Sequence, residues 1–299
     1  MTHPLPVPED GSFAHRTDRY ALLTDAQGRR LLVERPGWGD DAEFVLMADA
    51  EYRVWNRVDH PNVVRLVGSS EDGKMVYWYY DHVPSWQLST LLAIARKQLT
   101  HVPFGVAAAI VMDLLLGVQS IRETKGAADK VVNLVHRKLD PDHILVGLDG
   151  VTRVLLPGFA WLEDRPGCRG PAAIILQRFR YMSPEQVKGL PLDGRSDLYT
   201  VAVVLWEMLT GQIFAKSNSD FEVVTKIMAG VWPRPSSVRS DLPEDLDDIV
   251  MKALSLAPLD RFADAVSLPK ALSSTVAIAL SSDVTAWARG LRCKEFPRG

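Results

Sequence analysis

The sequence predicts an α+β fold in two lobes: a small antiparallel β-sheet with one main helix, then a larger and mainly helical lobe. Short apolar runs punctuated by turn residues fill residues 20–80. From Leu88 onward, apolar residues recur at helical spacing instead. A chain of 299 residues also has room for two substantial cores.

Residues 1–19 are rich in Pro and polar residues and read as a flexible segment, with no apolar stretch that would make a secretory signal. Residues 20–83 then form the first lobe, 84–274 the second, and 275–299 a helical extension. Within the first lobe, apolar runs at 20–24 and 29–34 flank Asp25-Ala26-Gln27-Gly28 and predict a hairpin. A third strand is predicted at 43–47, and Asp49 then caps a helix to about Val58, with Tyr52, Trp55 and Val58 on one face. Strands follow at 63–69 and 74–80.

In the second lobe, helices are predicted at 88–96, 104–124, 184–187, 196–210, 221–229, 243–256 and 262–274, with a short β-like section around 135–146 and 152–156. Gly211 suits a helix C-terminus, Pro243 a first helical turn, and Pro269 should kink or end its helix. The stretch 198–209 is apolar on nearly every face, which predicts a central buried helix.

A formal net charge of −3 with both signs interspersed gives no basic stripe for nucleic acid or an anionic membrane. The two cysteines, Cys168 and Cys293, support neither a disulfide framework nor a zinc site, so a reducing, cytoplasmic setting is expected. The most apolar windows, 106–118 and 201–209, are short for a bilayer span and are interrupted by Asp113 and Glu207.

Six segments carry the functional signal. They are His60-Pro61-Asn62, the loop His136-Arg137-Lys138-Leu139-Asp140-Pro141-Asp142-His143, Tyr181-Met182-Ser183-Pro184-Glu185, Ser196-Asp197-Leu198-Tyr199, Leu205-Trp206-Glu207 and Asp260-Arg261-Phe262. In this order and spacing, the set resembles the serine/threonine protein kinases, in the style of bacterial members, across 20–274. The resemblance implies that Glu185 pairs with Arg261, that Asp197 binds the backbone of the catalytic loop, and that Arg137 ties down the activation segment.

The same resemblance exposes departures at the positions that handle ATP and magnesium. The catalytic Asp and the metal-binding Asn of the family's loop are Lys138 and His143, while Asp140 stands where the family carries a Lys. The metal-binding D-F-G motif aligns with Leu156-Pro157-Gly158, and the phosphate-covering turn, placed at 24–29, has one glycine. Glu51 matches the helix glutamate, but the strand lysine that should face it falls at Leu46 or Met47. The activation segment 159–180 contains no Ser, Thr or Tyr to phosphorylate.

Two positions keep alternative readings. Lys138 and Asp140 form an ion pair within the loop, or Asp140 is a relocated base with Lys138 beside a phosphate. Tyr80, with Leu156 below it, fills the space a nucleotide needs, or belongs to an ordinary aromatic strand packed on the core.

These departures lead to the expectation of a catalytically inactive kinase-like domain, a pseudokinase, that binds a protein partner as scaffold or regulator in bacterial phosphorylation signalling. No cofactor or metal is expected, and ATP and magnesium are expected not to bind. The partner would be an active Ser/Thr kinase or another signalling protein, docking near 221–232 or in the groove near Lys138. The alternative is an atypical enzyme with residual nucleotide binding and phosphoryl or nucleotidyl transfer.

Overall fold

The computed structural model describes residues 15–16, 20–24, 30–34, 42–71, 76–126, 129–156 and 179–292. The first lobe is built on β1 (His15–Arg16), β2 (Tyr20–Thr24), β3 (Arg30–Glu34), β4 (Leu66–Glu71) and β5 (Val76–Asp81), paired antiparallel in the order β1-β2-β3-β5-β4. Side chains alternate across a strand. Leu32, Trp78 and Tyr80 accordingly enter the main core, while Leu31, Val33, Tyr77 and Tyr79 pack with Leu23 on the other face. β5 is buried on both faces, which is why its sequence is a run of aromatics rather than an alternation.

The strand expected at 43–47 is not formed. These residues open α1 (Ala42–Trp55), and Asp49 lies inside that helix, where it pairs with Arg53 at 2.7 Å, rather than at its start. Burial explains the outcome: Ala48, Glu51 and Trp55 face the core at helical spacing while Leu46 is 71% exposed, a pattern that a strand cannot produce. The third strand of the sheet is therefore β3, ahead of the helix.

The second lobe contains α2 (Leu88–Lys97), α3 (Phe104–Arg122), α4 (Pro184–Val187), α5 (Gly194–Thr210), α6 (Asp220–Ala229), α7 (Pro235–Val238), α8 (Glu244–Ala253), α9 (Ser267–Thr275) and α10 (Ser281–Gly290). A small antiparallel sheet joins β6 (Ser85–Gln87), β7 (Ile144–Gly147) and β8 (Thr152–Val154). α5 is buried almost throughout; Asp193 caps its start, and Gly211, at φ +68°, closes it in the left-handed conformation that glycine tolerates. Pro269 neither kinks nor ends α9, because it sits in the first turn, where its missing N–H has no intrahelical acceptor to lose.

α3 is a single helix of 19 residues, longer than the apolar window 106–118, and passes the length and composition test for a membrane span. Its apolar faces are used inside the lobe, against α5, α9, α10 and β8. The lobes are tied where the chain leaves α1: Asn62 O accepts from Val154 N at 2.8 Å, Val154 O from Val64 N at 2.8 Å, and Asn62 Nδ2 donates to Thr152 O at 3.0 Å.

The extension docks on the lobe. Ala279 N donates to Gly105 O at 3.1 Å, Val284 and Ala288 are buried, and Trp287 packs half-buried against the core. Gly150, at φ +78°, makes the approach possible, since a Cβ there would lie 2.0 Å from Ser281 O.

Candidate functional site

The loop after α3 is organised around two carboxylate acceptors, the buried Asp197 and the partly buried Asp140. Asp197, in the first turn of α5, takes the backbone N–H of His136 at 2.9 Å and that of Arg137 at 3.3 Å. Burial pushes the Asp197 carboxyl up to about 6, against these two hydrogen bonds, which favour its ionised form. His136 Nε2 lies 3.1 Å from Leu155 O, and burial drives its imidazole down to about 3, so the ring is neutral. Arg137 sits at φ +64°, a conformation that costs a non-glycine residue about 1 to 2 kcal/mol. Gln186 Nε2 holds it there by donating to Arg137 O at 2.9 Å.

Asp140 is the second organiser. One of its oxygens, Oδ1, accepts from the backbone N–H of Asp142 at 2.9 Å and of His143 at 3.0 Å, and lies 2.7 Å from His143 Nδ1. It thus caps the short 3-10 turn Pro141–His143. Burial works against its charge, but the neighbouring His143, those hydrogen bonds and Lys138 outweigh it and hold the carboxyl below the usual range. The carboxylate Oδ2 accepts no hydrogen bond among the described residues. Lys138 and His143 are both buried.

Below the loop, Arg261 and Glu185 form a two-bond pair: Nη1 to Oε1 at 2.7 Å and Nη2 to Oε2 at 2.8 Å. Arg261 gives its remaining donors to the carbonyls of Ser255, Arg195 and Leu256, and Ser196 Oγ donates to Glu185 Oε1 at 2.7 Å. Burial opposes ionisation of Glu185, yet Arg261 and Ser196 keep its carboxyl below the usual range. This pair anchors α4, whose Ser183 and Gln186 form a reciprocal capping box.

An open groove of about 280 Å³ runs beside the loop, between α2, the turn at Asp140-Pro141-Asp142 and Arg180-Tyr181. Its floor is the buried Glu207, which accepts from Phe214 N at 2.7 Å, Arg96 Nη2 at 3.0 Å and Tyr181 Oη at 3.1 Å. Burial pushes the Glu207 carboxyl up, and Arg96 opposes it. Sequence reasoning read Glu207 only as part of the central helix and missed Arg96 and Arg180 as groove residues. Only their convergence in space reveals them, since they come from separate elements.

The remaining predicted positions fall as follows. Met47 lies half-buried on α1, on a helix and not on a strand; the strand ahead of α1 is β3, Arg30-Leu31-Leu32-Val33-Glu34. Of residues 36–52, which contain no lysine, 42–52 belong to α1. Glu51 is on α1 and only 4% exposed, in the core and not solvated. Leu156 and Tyr80 are fully buried, with Tyr80 opposite Leu32 on β3. The predicted pairing of the runs at 20–24 and 29–34 is formed by β2 against β3, Tyr20 opposite Glu34 and Thr24 opposite Arg30, and β1 pairs with β2 ahead of it. The turns between these strands, Pro157, Gly158, Cys168 and most of the segment 159–180 lie outside the described residues. Among the described residues, no group of three or more His, Cys, Asp or Glu side chains is placed to hold a metal ion. His143, with one ring nitrogen committed to Asp140, and the hydrocarbon Leu156 do not fit the oxygen-rich shell magnesium takes.

Comparison with known proteins settles the family. Tyrosine-protein kinase MasK of Myxococcus xanthus is 29% identical over 266 residues, which cover 87% of this chain and 41% of that protein. Serine/threonine-protein kinase PknL of Mycobacterium tuberculosis is 27% identical over 259 residues, 87% of this chain and 59% of that one. The chain thus spans about four- to six-tenths of the length of these relatives. In fold it is similar to the crystal structure of the PknI kinase domain of Mycobacterium tuberculosis, at TM-score 0.64 and 21% identity, covering 88% of this chain and 94% of that one.

These likenesses correct the expectation of a non-enzyme. The relatives are named as serine/threonine and tyrosine kinases, and the family match runs through the segment that carries Lys138, Asp140, His143 and Leu156. Residues 41–273 match the family model described as the protein kinase domain, and the chain belongs to that family.

Proposed function

We propose that this chain acts in bacterial protein-phosphorylation signalling, in the cytoplasm, by seating a protein in the groove between α2, Asp140-Pro141-Asp142 and Arg180-Tyr181. The observation that carries the reading is the groove itself: an open trough beside the loop, lined by charged side chains from four parts of the chain. Its walls are preorganised, because Glu207 binds Arg96 and Tyr181, and Asp140 caps the turn Pro141–His143.

The chemistry supported by the relatives' names is phosphoryl transfer onto a hydroxyl of the bound protein. The group available to take the hydroxyl proton is Asp140, whose carboxylate is kept ionised and whose Oδ2 is left to the groove it lines. A second reading, a regulatory scaffold that binds a signalling kinase in the same groove, is favoured by the burial of Lys138 and His143 beside that carboxylate.

Incubation with a labelled nucleoside triphosphate and a panel of protein substrates tests both. Label transfer that collapses in Asp140→Asn supports the enzyme. Binding in the groove without transfer, unchanged in that variant, supports the scaffold. A chain that neither binds nor labels any protein contradicts both.

A further inference from the structure

α6 presents an apolar face to solvent. Only Val223 and Ile227 of its residues are buried. Phe221, Thr225 and Met228 recur at the i, i+4, i+7 spacing that puts side chains on one side of a helix, and all three are exposed, Phe221 at 81%. Thr225 donates its hydroxyl to Phe221 O at 2.7 Å, so the polar member of this stripe is satisfied within the helix. The apolar surface continues past the helix end. A Cβ on Gly230 would lie 2.3 Å from Leu256 Cγ, so the exposed Leu256 covers that glycine. Val231, next to Gly230 in the chain, is 83% exposed, and Leu259, three residues beyond Leu256, is 80% exposed. Single exposed apolar residues are ordinary on a protein surface, whereas five on neighbouring segments mark a surface that another molecule covers.

The charges beside the stripe identify that molecule. Glu222 and Lys226 are exposed and lie one turn apart on the same flank of α6. Glu222 accepts from Ser217 Oγ through Oε2 only, and Lys226 Nζ donates to Lys216 O at 2.8 Å, so each keeps hydrogen-bonding capacity for a further partner. A two-fold axis crossing α6 at Val224-Thr225 lays a second α6 antiparallel on the first, and residues on the same flank then face each other. Glu222 of each copy meets Lys226 of the other, so the opposite charges pair twice. Phe221 likewise meets Met228, a thioether against an aromatic ring. Both pairings centre on the same point of the helix, which is the self-complementarity that an isologous interface requires.

We propose that the exposed face of α6, extended by Val231, Leu256 and Leu259, is the interface through which two copies of this chain associate about a two-fold axis. A second copy returns the same apolar stripe and presents its charges in the reverse order.

Sedimentation equilibrium of the full chain, across its soluble range of concentration, tests this. The unaltered chain passes from one-chain to two-chain mass as concentration rises. Phe221→Asp holds it at one-chain mass. Glu222→Lys or Lys226→Glu, each of which sets like charges opposite each other in both pairs, weakens association about tenfold. The double variant, Glu222→Lys with Lys226→Glu, returns association to within about threefold of the unaltered chain, because both pairs re-form with their signs exchanged. A parent that stays at one-chain mass throughout overturns the proposal, even where it captures a different protein through α6. Association unchanged by Phe221→Asp, or a double variant as weak as either single one, overturns it too. The substituted side chains are exposed, and circular dichroism checks that each variant folds; the concentration dependence of the unaltered chain is decisive without them.

Discussion

Arg261 spends all five of its N–H donors inside the protein, two on Glu185 and three on backbone carbonyls. Truncating it leaves the Glu185 carboxylate buried beside only Ser196, so Arg261→Ala should cost about 3 to 5 kcal/mol. Urea denaturation measures this, and a midpoint within error of the parent would contradict the anchoring role. The pair was legible in the sequence, although 76 residues separate its members, because each lies in a short recognisable motif.

Protonation offers a second test at this scale. His136 has its folded pKa lowered from 6.5 to about 3, so its contribution to stability is fully present above pH 6.5 and is lost as pH falls through about 3. Asp197 has its folded pKa raised from 3.8 to about 6, so its contribution is present below pH 3.8 and is lost as pH rises through about 6. The two oppose each other on acidification. Removing the titrating ring in His136→Phe leaves the Asp197 gain unopposed, so stability should fall less between pH 6.5 and pH 4.5 than in the parent. Parallel unfolding midpoints across that range would show that His136 is not held neutral in the fold.

At the scale of elements, the first helix was the least legible part. Residues 43–47 form a short apolar run without turn residues, and such a run fits a buried strand or a helix equally well. Only the burial of Ala48 and Trp55 together with the exposure of Leu46 decides it, and burial depends on the sheet beneath. The two assignments differ in a way that mutation can read. In a strand, residues 46 and 48 share a face; in the helix they point apart. Leu46→Glu should therefore change stability by no more than about 0.5 kcal/mol. Ala48→Glu, which puts a charge against the core, should cost about 3 kcal/mol or more. Equal losses from both would favour the strand. The helices of the second lobe were easier, since Gly211 and an unbroken apolar stretch mark α5 without reference to anything else, although the helix starts at Gly194, capped by Asp193, two residues before its predicted start.

For the molecule as a whole, the sequence shows a kinase-like frame through motifs whose spacing is kept, but it does not show the groove. Arg96, Asp140, Arg180 and Glu207 meet only after α2, the loop, the segment at 180–181 and α5 have packed. The reading of lost chemistry compared residues one position at a time, and it placed one lost group on a strand that turned out to be a helix. Kinship over residues 41–273 with proteins named as kinases overturned the conclusion drawn from it. The docked extension is a further whole-molecule feature. A chain ending at Val276 loses the buried Val284, Ala288 and Leu291, and should be destabilised on the order of 3 to 5 kcal/mol. An unchanged melting temperature would mean that α10 docks without contributing.

The account depends most on where a protein partner sits. Hydrogen–deuterium exchange of the chain with and without a bound partner peptide measures this directly. Slowed exchange is predicted in α2, in the turn around Asp140 to His143 and at Arg180-Tyr181. Protection confined to α6 or to the sheet of the first lobe, with these amides unchanged, would contradict it.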